Sequence, residues 1–407
     1  MTTIAILGTL DTKAEEHAFL QEFIRGDGAD VLMIDTGLLG AGPSNADVSA
    51  DEVARAAGVE RSTLVAGNDR SAAIDVMGRG AGKILKGLLQ DRRLDGVISL
   101  GGGSGTTLAS IAMRALPVGM PKLIVSTIAS GNTRPIVRGT DLTLTYPVVD
   151  IAGLNHVTRR ILVNAAGAIV GMARAYARAE KDLDREENRP VVAMSMFGVT
   201  STAGNAARAK LEKAGFDVLV FHATGSGGES MEALIEAGLV AGVLDLTTTE
   251  LADDLLGGVM SAGPDRLTAA AKHGVPQVVS VGALDMVNLG PLDSLPEAYK
   301  SRRLHQHAPT MTLMRTSPED CVELGRRLVA RVNLSSAAAS IYIPLRGTSS
   351  ASVDGAPFFD PEADASLFEA IRSGARSGVK VVELDASAND PLFGEVMADA
   401  LIEYIQP

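Results

Sequence analysis

Tryptophan is absent and cysteine occurs once, at Cys321, in a chain of 407 residues. A lone cysteine excludes an intrachain disulfide and a cysteine-cluster metal site. Aromatic residues make up only 3% of the chain against 46% hydrophobic residues, so the core has to be aliphatic. Basic residues are the minority charge. The 37 Lys and Arg face 49 Asp and Glu, a formal net charge of −12, and the isoelectric point is near 5.1. That balance argues against broad electrostatic attachment to nucleic acid or to an anionic membrane. Long hydrophobic runs are lacking as well. The most apolar stretch, ILVNAAGAIVGMARAYA, contains Asn164 and Arg174 and falls short of a membrane span. The N-terminus opens on a strand-like run, with no basic segment leading into an apolar one. A soluble cytoplasmic protein of two or three domains is expected.

What is present is a rhythm of short β-branched runs, polar or glycine turns and helical patterns. TIAIL, ADVLMI, DGVISL and PKLIVST read as buried parallel strands, with helices expected over residues 13–26, 71–90 and 104–116. A long Ala- and Gly-rich helix follows, from Asn155 to Arg178, apolar on most of its faces. The charged stretch AEKDLDREENRP is the best linker. After it the rhythm restarts with VVAMSMF, FDVLVFH, AGVLDLT, PQVVSVG, ASIYIPL and KVVELD. The order strand, turn, helix, glycine, strand is the same at the start of both halves. The expected fold is therefore α/β: two Rossmann-like, doubly wound domains with mostly parallel sheets, residues 1–180 and 190–407, related by internal duplication.

In open α/β sheets, ligands bind beyond the carboxyl ends of the strands. There the first half carries Gly8-Thr9-Leu10-Asp11-Thr12-Lys13, then Gly101 to Thr107 (GGGSGTT), then Ala129-Ser130-Gly131-Asn132-Thr133. Turns of Gly, Ser and Thr beside helix N-termini expose the N–H groups and hydroxyls that hold phosphate oxygens. Asp11 suits magnesium or a ribose, and Lys13 or Arg134 would neutralise phosphate charge. The glycine run is neither the dinucleotide fingerprint nor a Walker loop, which counts against a cofactor-dependent oxidoreductase. In the second half the strand ends carry His222, then Asp245 and Glu250, then Asp285, with His305, His307 and Arg315 further on. Asp245, Glu250, Asp285 and His305 form a candidate acid–base set. His305 and His307 would share a face if they lie on a strand, a usable metal-ligand spacing. His17 and His273 sit on helical patterns without evident chemistry, and Cys321 reads as buried and inert.

The strings LGTLDTKAEE, GGGSGTTLA, STIASGNT, YPVVDIAGLN, NAAGAIVGM, FGVTSTAG, FHATGSGG, LDLTTTELADDLLGG, SAGPDRL, VGALDMVN, TLMRT and FFDPEAD together span nearly the whole chain. They resemble a family whose best-known member is a plant resistance protein that blocks tobamovirus RNA replication, alongside stand-alone bacterial members. The resemblance implies two Rossmann-like subdomains and a site for ATP with magnesium in the N-terminal part. Carried across, the nucleotide contacts fall on Thr9, Asp11 and Thr12, on Gly102, Gly103, Ser104, Gly105 and Thr106, and on Ser130, Gly131, Asn132 and Thr133. The plant protein's fusion to a phosphoenolpyruvate-mutase-like barrel implies a separately encoded barrel as a partner.

Two functions follow as expectations: an ATP-binding enzyme acting on a small carboxylated or phosphorylated metabolite between the domains, or a nucleotide-gated binding module without turnover. The apolar helix from Asn155 to Arg178 leads to the further expectation of a homodimer that buries its excess surface.

Overall fold

The computed structural model describes residues 2–38, 46–183 and 189–406. The chain divides into two compact units, Met1–Glu187 and Asn188–Pro407. In the first, the strands are β1 (Thr3–Gly8), β2 (Asp30–Asp35), β3 (Gly96–Gly101), β4 (Lys122–Ser126) and β5 (Thr143–Thr145). The helices are α1 (Leu10–Gly26), α2 (Ala50–Ala56), α3 (Arg61–Gly67), α4 (Arg70–Gln90), α5 (Gly103–Met113), α6 (Arg134–Val137) and α7 (His156–Leu183). The sheet runs β2-β1-β3-β4-β5, and every neighbouring pair is parallel. Alternation along the central strand divides the core. Ile4 and Ile6 face α1 and α7, whereas Ala5 and Leu7 face α4 and α5. Both faces are covered, as a parallel sheet requires.

The second unit contains β6 (Val191–Met196), α8 (Ser201–Lys213), β7 (Asp217–His222), α9 (Ser226–Glu236), β8 (Gly242–Thr247), α10 (Glu250–Leu256), α11 (Ala269–His273) and β9 (Gln277–Gly282). A three-strand insertion follows: β10 (Met286–Leu289), β11 (Leu304–Ala308) and β12 (Met311–Arg315). Then come α12 (Pro318–Val332), β13 (Ala339–Pro344), α13 (Pro361–Gly374), β14 (Val379–Leu384) and α14 (Pro391–Ile405). The main sheet runs β14-β13-β9-β8-β6-β7, all parallel, and β10-β12-β11 forms a separate antiparallel sheet. The first four strands of the two units thus follow one order, β2-β1-β3-β4 and β7-β6-β8-β9.

Every strand expected from the sequence is present. The antiparallel insertion, α2 and α3 were not foreseen. α2 nevertheless has a readable start: the Ser49 hydroxyl accepts from the Glu52 N–H while the Glu52 carboxylate accepts from the Ser49 N–H, a capping box. The reading of α7 as apolar on most of its faces is corrected. Leu162, Ala165, Ala166, Ile169, Val170 and Ala173 are buried in the core of the first unit. Its exposed positions include Asn164, Gly167, Ala168 and Gly171, which carry little apolar surface. The excess surface on which the homodimer was argued is therefore absent from these positions. Among the described residues no helix is long and apolar enough to cross a membrane.

Close helix packing in the first unit rests on Gly80 of α4. A Cβ there would lie 2.0 Å from the Val53 carbonyl oxygen of α2. Alanine is the better helix former by about 1 kcal/mol, but here it has to push α2 away. Gly80→Ala is expected to lower unfolding stability by about 1–3 kcal/mol in a denaturant titration, the usual range for overpacking.

Candidate functional site

The strand order 2-1-3-4-5 places a topological switch between β1 and β3, because the chain leaves β1 toward β2 on one side and reaches β3 on the other. A cleft of ≈ 600 Å³ opens at the carboxyl ends of those strands. The size suits one small-molecule ligand. Three helix N-termini border it: Thr9, Asp69 and Gly102 are the N-cap residues of α1, α4 and α5, and all three line the cleft. Each terminus contributes unpaired N–H groups and the positive end of a helix dipole. The caps differ. Asp69 accepts from the Ala72 N–H at 3.0 Å. At α1, Asp35 from the end of β2 accepts from the Leu10 N–H at 3.1 Å and from the Gly37 N–H at 2.8 Å. Burial pushes the Asp35 carboxyl up from its ordinary value. The α5 terminus has a glycine N-cap with no side-chain hydrogen bond.

The glycines at α5 are not demanded by the fold. Gly103 would accept a Cβ with nothing within 4 Å of it, and a Cβ on Gly105 would meet only the Leu100 carbonyl oxygen at 3.7 Å. Neither backbone lies in the left-handed region. The space in front of the helix is what their lack of side chains preserves.

Of the nucleotide residues expected from the sequence, Thr9, Asp11, Thr12, Gly102, Gly103, Ser104 and Gly105 line this one cleft. Thr106 lies beneath it, fully buried, its hydroxyl 2.7 Å from that of Ser126. Ser130, Gly131, Asn132 and Thr133 are not among the lining residues, and Asn132 instead accepts from the Arg134 N–H at 3.2 Å. Two of the three loops are therefore brought together. Lys13 also lines the cleft, with its ammonium on the Ile151 carbonyl. Its backbone breaks the helix, at φ −135° and ψ 33°. His17, read as a plain helix residue, is fully buried against Gly8. Its Nδ1 lies 2.6 Å from the Lys13 carbonyl oxygen, an acceptor only, so Nδ1 carries the proton. Burial lowers the imidazole pKa and keeps the ring neutral. Sequence reasoning missed the lining contributed by Leu64, Val65, Asn68 and Ile74, from α3 and the start of α4. The only cue to α3 was the apolar pair in RSTLVAG.

The acid–base set expected in the second unit does not assemble. Asp245 and Glu250 are fully buried and share Arg266, itself 1% exposed. The Arg266 guanidinium donates to both Asp245 oxygens at 2.5 and 2.7 Å and to Glu250 Oε2 at 2.6 Å, and meets Glu232 at 3.3 Å. Glu250 Oε1 accepts from the Gly225 and Gly228 N–H groups at 2.6 and 3.0 Å, and so closes the N-terminus of α9. Gly228 is needed for this, since a Cβ there would fall 2.2 Å from Glu250 Oε2. Glu232 closes α11 through the N–H groups of Leu267, Thr268 and Ala269. Burial drives the Glu232 and Glu250 carboxyls up, against the pull of Arg266. Asp285 lies apart, accepting from the Thr348 and Ser349 hydroxyls at 3.0 and 2.8 Å. His305 is exposed on β11, edge-on to the Phe358 ring at 6.2 Å. The β11–β12 register shifts between Gln306 and Ala308, so His307 sits at a bulge and the alternation assumed for the histidine pair is broken. Among the described residues no group of three or more His, Cys, Asp or Glu side chains is arranged to hold a metal ion. Cys321 is buried, its thiol pushed up to about 11 by burial, in keeping with an inert role.

Two parallel α/β units in tandem, the first with an open cleft at its switch point, define a Rossmann-like two-unit protein. Residues 2–178 match the N-terminal domain, and residues 189–405 the C-terminal domain, of the family described as "Uncharacterised protein family (UPF0261)". The chain belongs to that family. A UPF0261 protein of Clostridium tetani is 44% identical over 404 residues, covering 99% of each chain. The ToMV resistance protein Tm-1(GCR237) of Solanum lycopersicum is 36% identical over 417 residues, covering 98% of this chain and 55% of that protein. The relationship to a plant resistance protein and to bacterial proteins, expected from the motifs, therefore holds. Among solved structures, the UDP-GlcNAc 2-epimerase of Neisseria meningitidis aligns over 69% of this chain and 82% of its own at 11% identity. Its TM-score of 0.23 is too low to carry an argument.

Two outcomes are expected of the buried network. Arg266→Met leaves three carboxylates buried without their cation and should cost about 3–5 kcal/mol in unfolding stability, the range for breaking a buried ion pair from one side. Asp253 of α10 accepts from Met260 and Asn288 in a fully buried setting, and burial raises its carboxyl to about 7. The folded state then binds a proton that the unfolded chain releases near the ordinary aspartate value of 3.8. This contribution is present below about pH 4 and is lost as pH rises through about 7. Denaturation midpoints measured from pH 5 to 8 should fall with rising pH, and Asp253→Asn should flatten that slope.

Proposed function

We propose that the first unit binds a nucleotide, ATP in particular, with its phosphates on the N-terminus of α5 and its base against α3. The observation that carries this reading is the convergence of three helix N-termini on one cleft, with the α5 terminus uncapped and fronted by glycines that packing does not require. An oxyanion supplies what that terminus lacks. The apolar lining from Leu64, Val65 and Ile74 suits the face of a base. Asp11, on the same floor, is the side chain that would hold a magnesium ion accompanying the triphosphate. The role proposed is binding, since the second-unit carboxylates expected to perform acid–base chemistry are spent on Arg266 and on helix termini.

ATP with magnesium should raise the melting temperature more than adenosine does at equal concentration. The double variant Gly103→Val, Gly105→Val should fold with near-parental stability, because both positions face open space or ordinary contact. It should also lose the difference between ATP and adenosine. An unchanged ATP shift in that variant would remove the α5 terminus from the site.

A further inference from the structure

Where α3 ends, Gly67 precedes Asn68, and it is Asn68 that takes the left-handed conformation, φ 49° and ψ 21°. Glycine is the usual residue at such a helix end, because it bears no Cβ penalty. Here glycine stands one position too early. Gly67 has no positive φ, and a Cβ on it would meet nothing within 4 Å. Backbone conformation alone favours glycine at position 68, with asparagine the next best tolerated residue there. The chain instead keeps a side chain at the strained position.

Asn68 lines the cleft together with Leu64 and Val65, the same cleft that the glycines of α5 line. Val65 is 52% exposed although it lines the cleft, and α3 contains no buried residue. An apolar surface left open toward a cleft is suited to the face of a flat ring. Asn68 brings to its margin a carboxamide, which offers one acceptor and two donor hydrogens from adjacent atoms. Its charged neighbours in the chain have other work or carry one sign only: Asp69 caps α4, and Arg70 offers donors alone.

We infer that Asn68 is the base-reading residue of the cleft. Its amide N–H donates to a ring nitrogen of adenine and its carbonyl accepts from the adjacent exocyclic amino group, while Leu64 and Val65 pack on the ring face. The inference rests on the nucleotide reading of the same cleft and adds its specificity determinant. Asn68 positions the base and takes no part in any bond-breaking step.

Two substitutions separate this role from a structural one. Asn68→Gly keeps the left-handed backbone and removes the amide, so the fold is expected to be at least as stable as the parent. Asn68→Asp cannot donate to the adenine ring nitrogen but can accept from the ring N–H and amino groups of guanine. Affinities of the full chain for ATP, GTP and inorganic tripolyphosphate would be measured by calorimetry with magnesium present. In Asn68→Gly, ATP affinity should fall about tenfold while tripolyphosphate affinity stays at the parental value, within the discrimination that a bidentate amide–base contact provides. In Asn68→Asp, the ratio of ATP to GTP affinity should drop about tenfold or more. Parental ATP affinity in Asn68→Gly together with an unaltered ratio in Asn68→Asp would overturn the assignment of Asn68 and leave the phosphate cradle standing. A parent chain that binds neither ATP nor tripolyphosphate would overturn the cradle, and the inference with it.

Discussion

A parallel sheet with helical crossovers sends every helix back to the same edge, so the N-termini of successive helices gather at the carboxyl ends of the strands. Their unpaired N–H groups and dipoles are a concentrated positive field that something negative has to meet. The two units meet this one constraint differently. In the second, the chain supplies its own anions: Glu250 at α9, Glu232 at α11, Asp360 at α13 and Asp390 at α14. In the first, Asp35 and Asp69 serve α1 and α4, whereas α5 opens on glycine and free volume.

That contrast reassigns several of the motifs. FHATGSGG and LDLTTTE look like a second ligand loop, but Gly225 and Gly228 receive the carboxylate of Glu250 and no outside group is needed. SAGPDRL matters for Arg266, which joins Asp245, Glu250 and Glu232 in the interior. Acidic residues at the ends of buried strands resemble a catalytic set in one dimension. The guanidinium that neutralises them comes from a different loop, and only the folded chain reveals it.

The architecture was legible because β-branched runs and glycine turns are local signals. The cleft was half legible, since Thr9, Asp11, Thr12 and the glycine run sit directly after strands. The lining from α3 was not, because α3 is short, buries no residue and announces itself through no periodicity. The bulge at His307 and the internal position of His17 are likewise outcomes of packing. A two-residue spacing says nothing about register shifts, and a helical pattern does not tell which turn is pressed against a glycine such as Gly8.

The interior carboxylates of the second unit also bear on how the molecule presents itself in an electric field. Burial raises Glu232, Glu250, Asp253, Asp285 and Asp364, the last to about 6. Near the isoelectric point of about 5.1, Asp253 at about 7 and Asp364 at about 6 retain protons that free side chains would have shed. The native protein is for that reason less anionic than its formal charge of −12. It should focus at a higher pH than its denatured chain, and its electrophoretic mobility toward the anode should rise on unfolding, when the sequestered protons pass to the buffer.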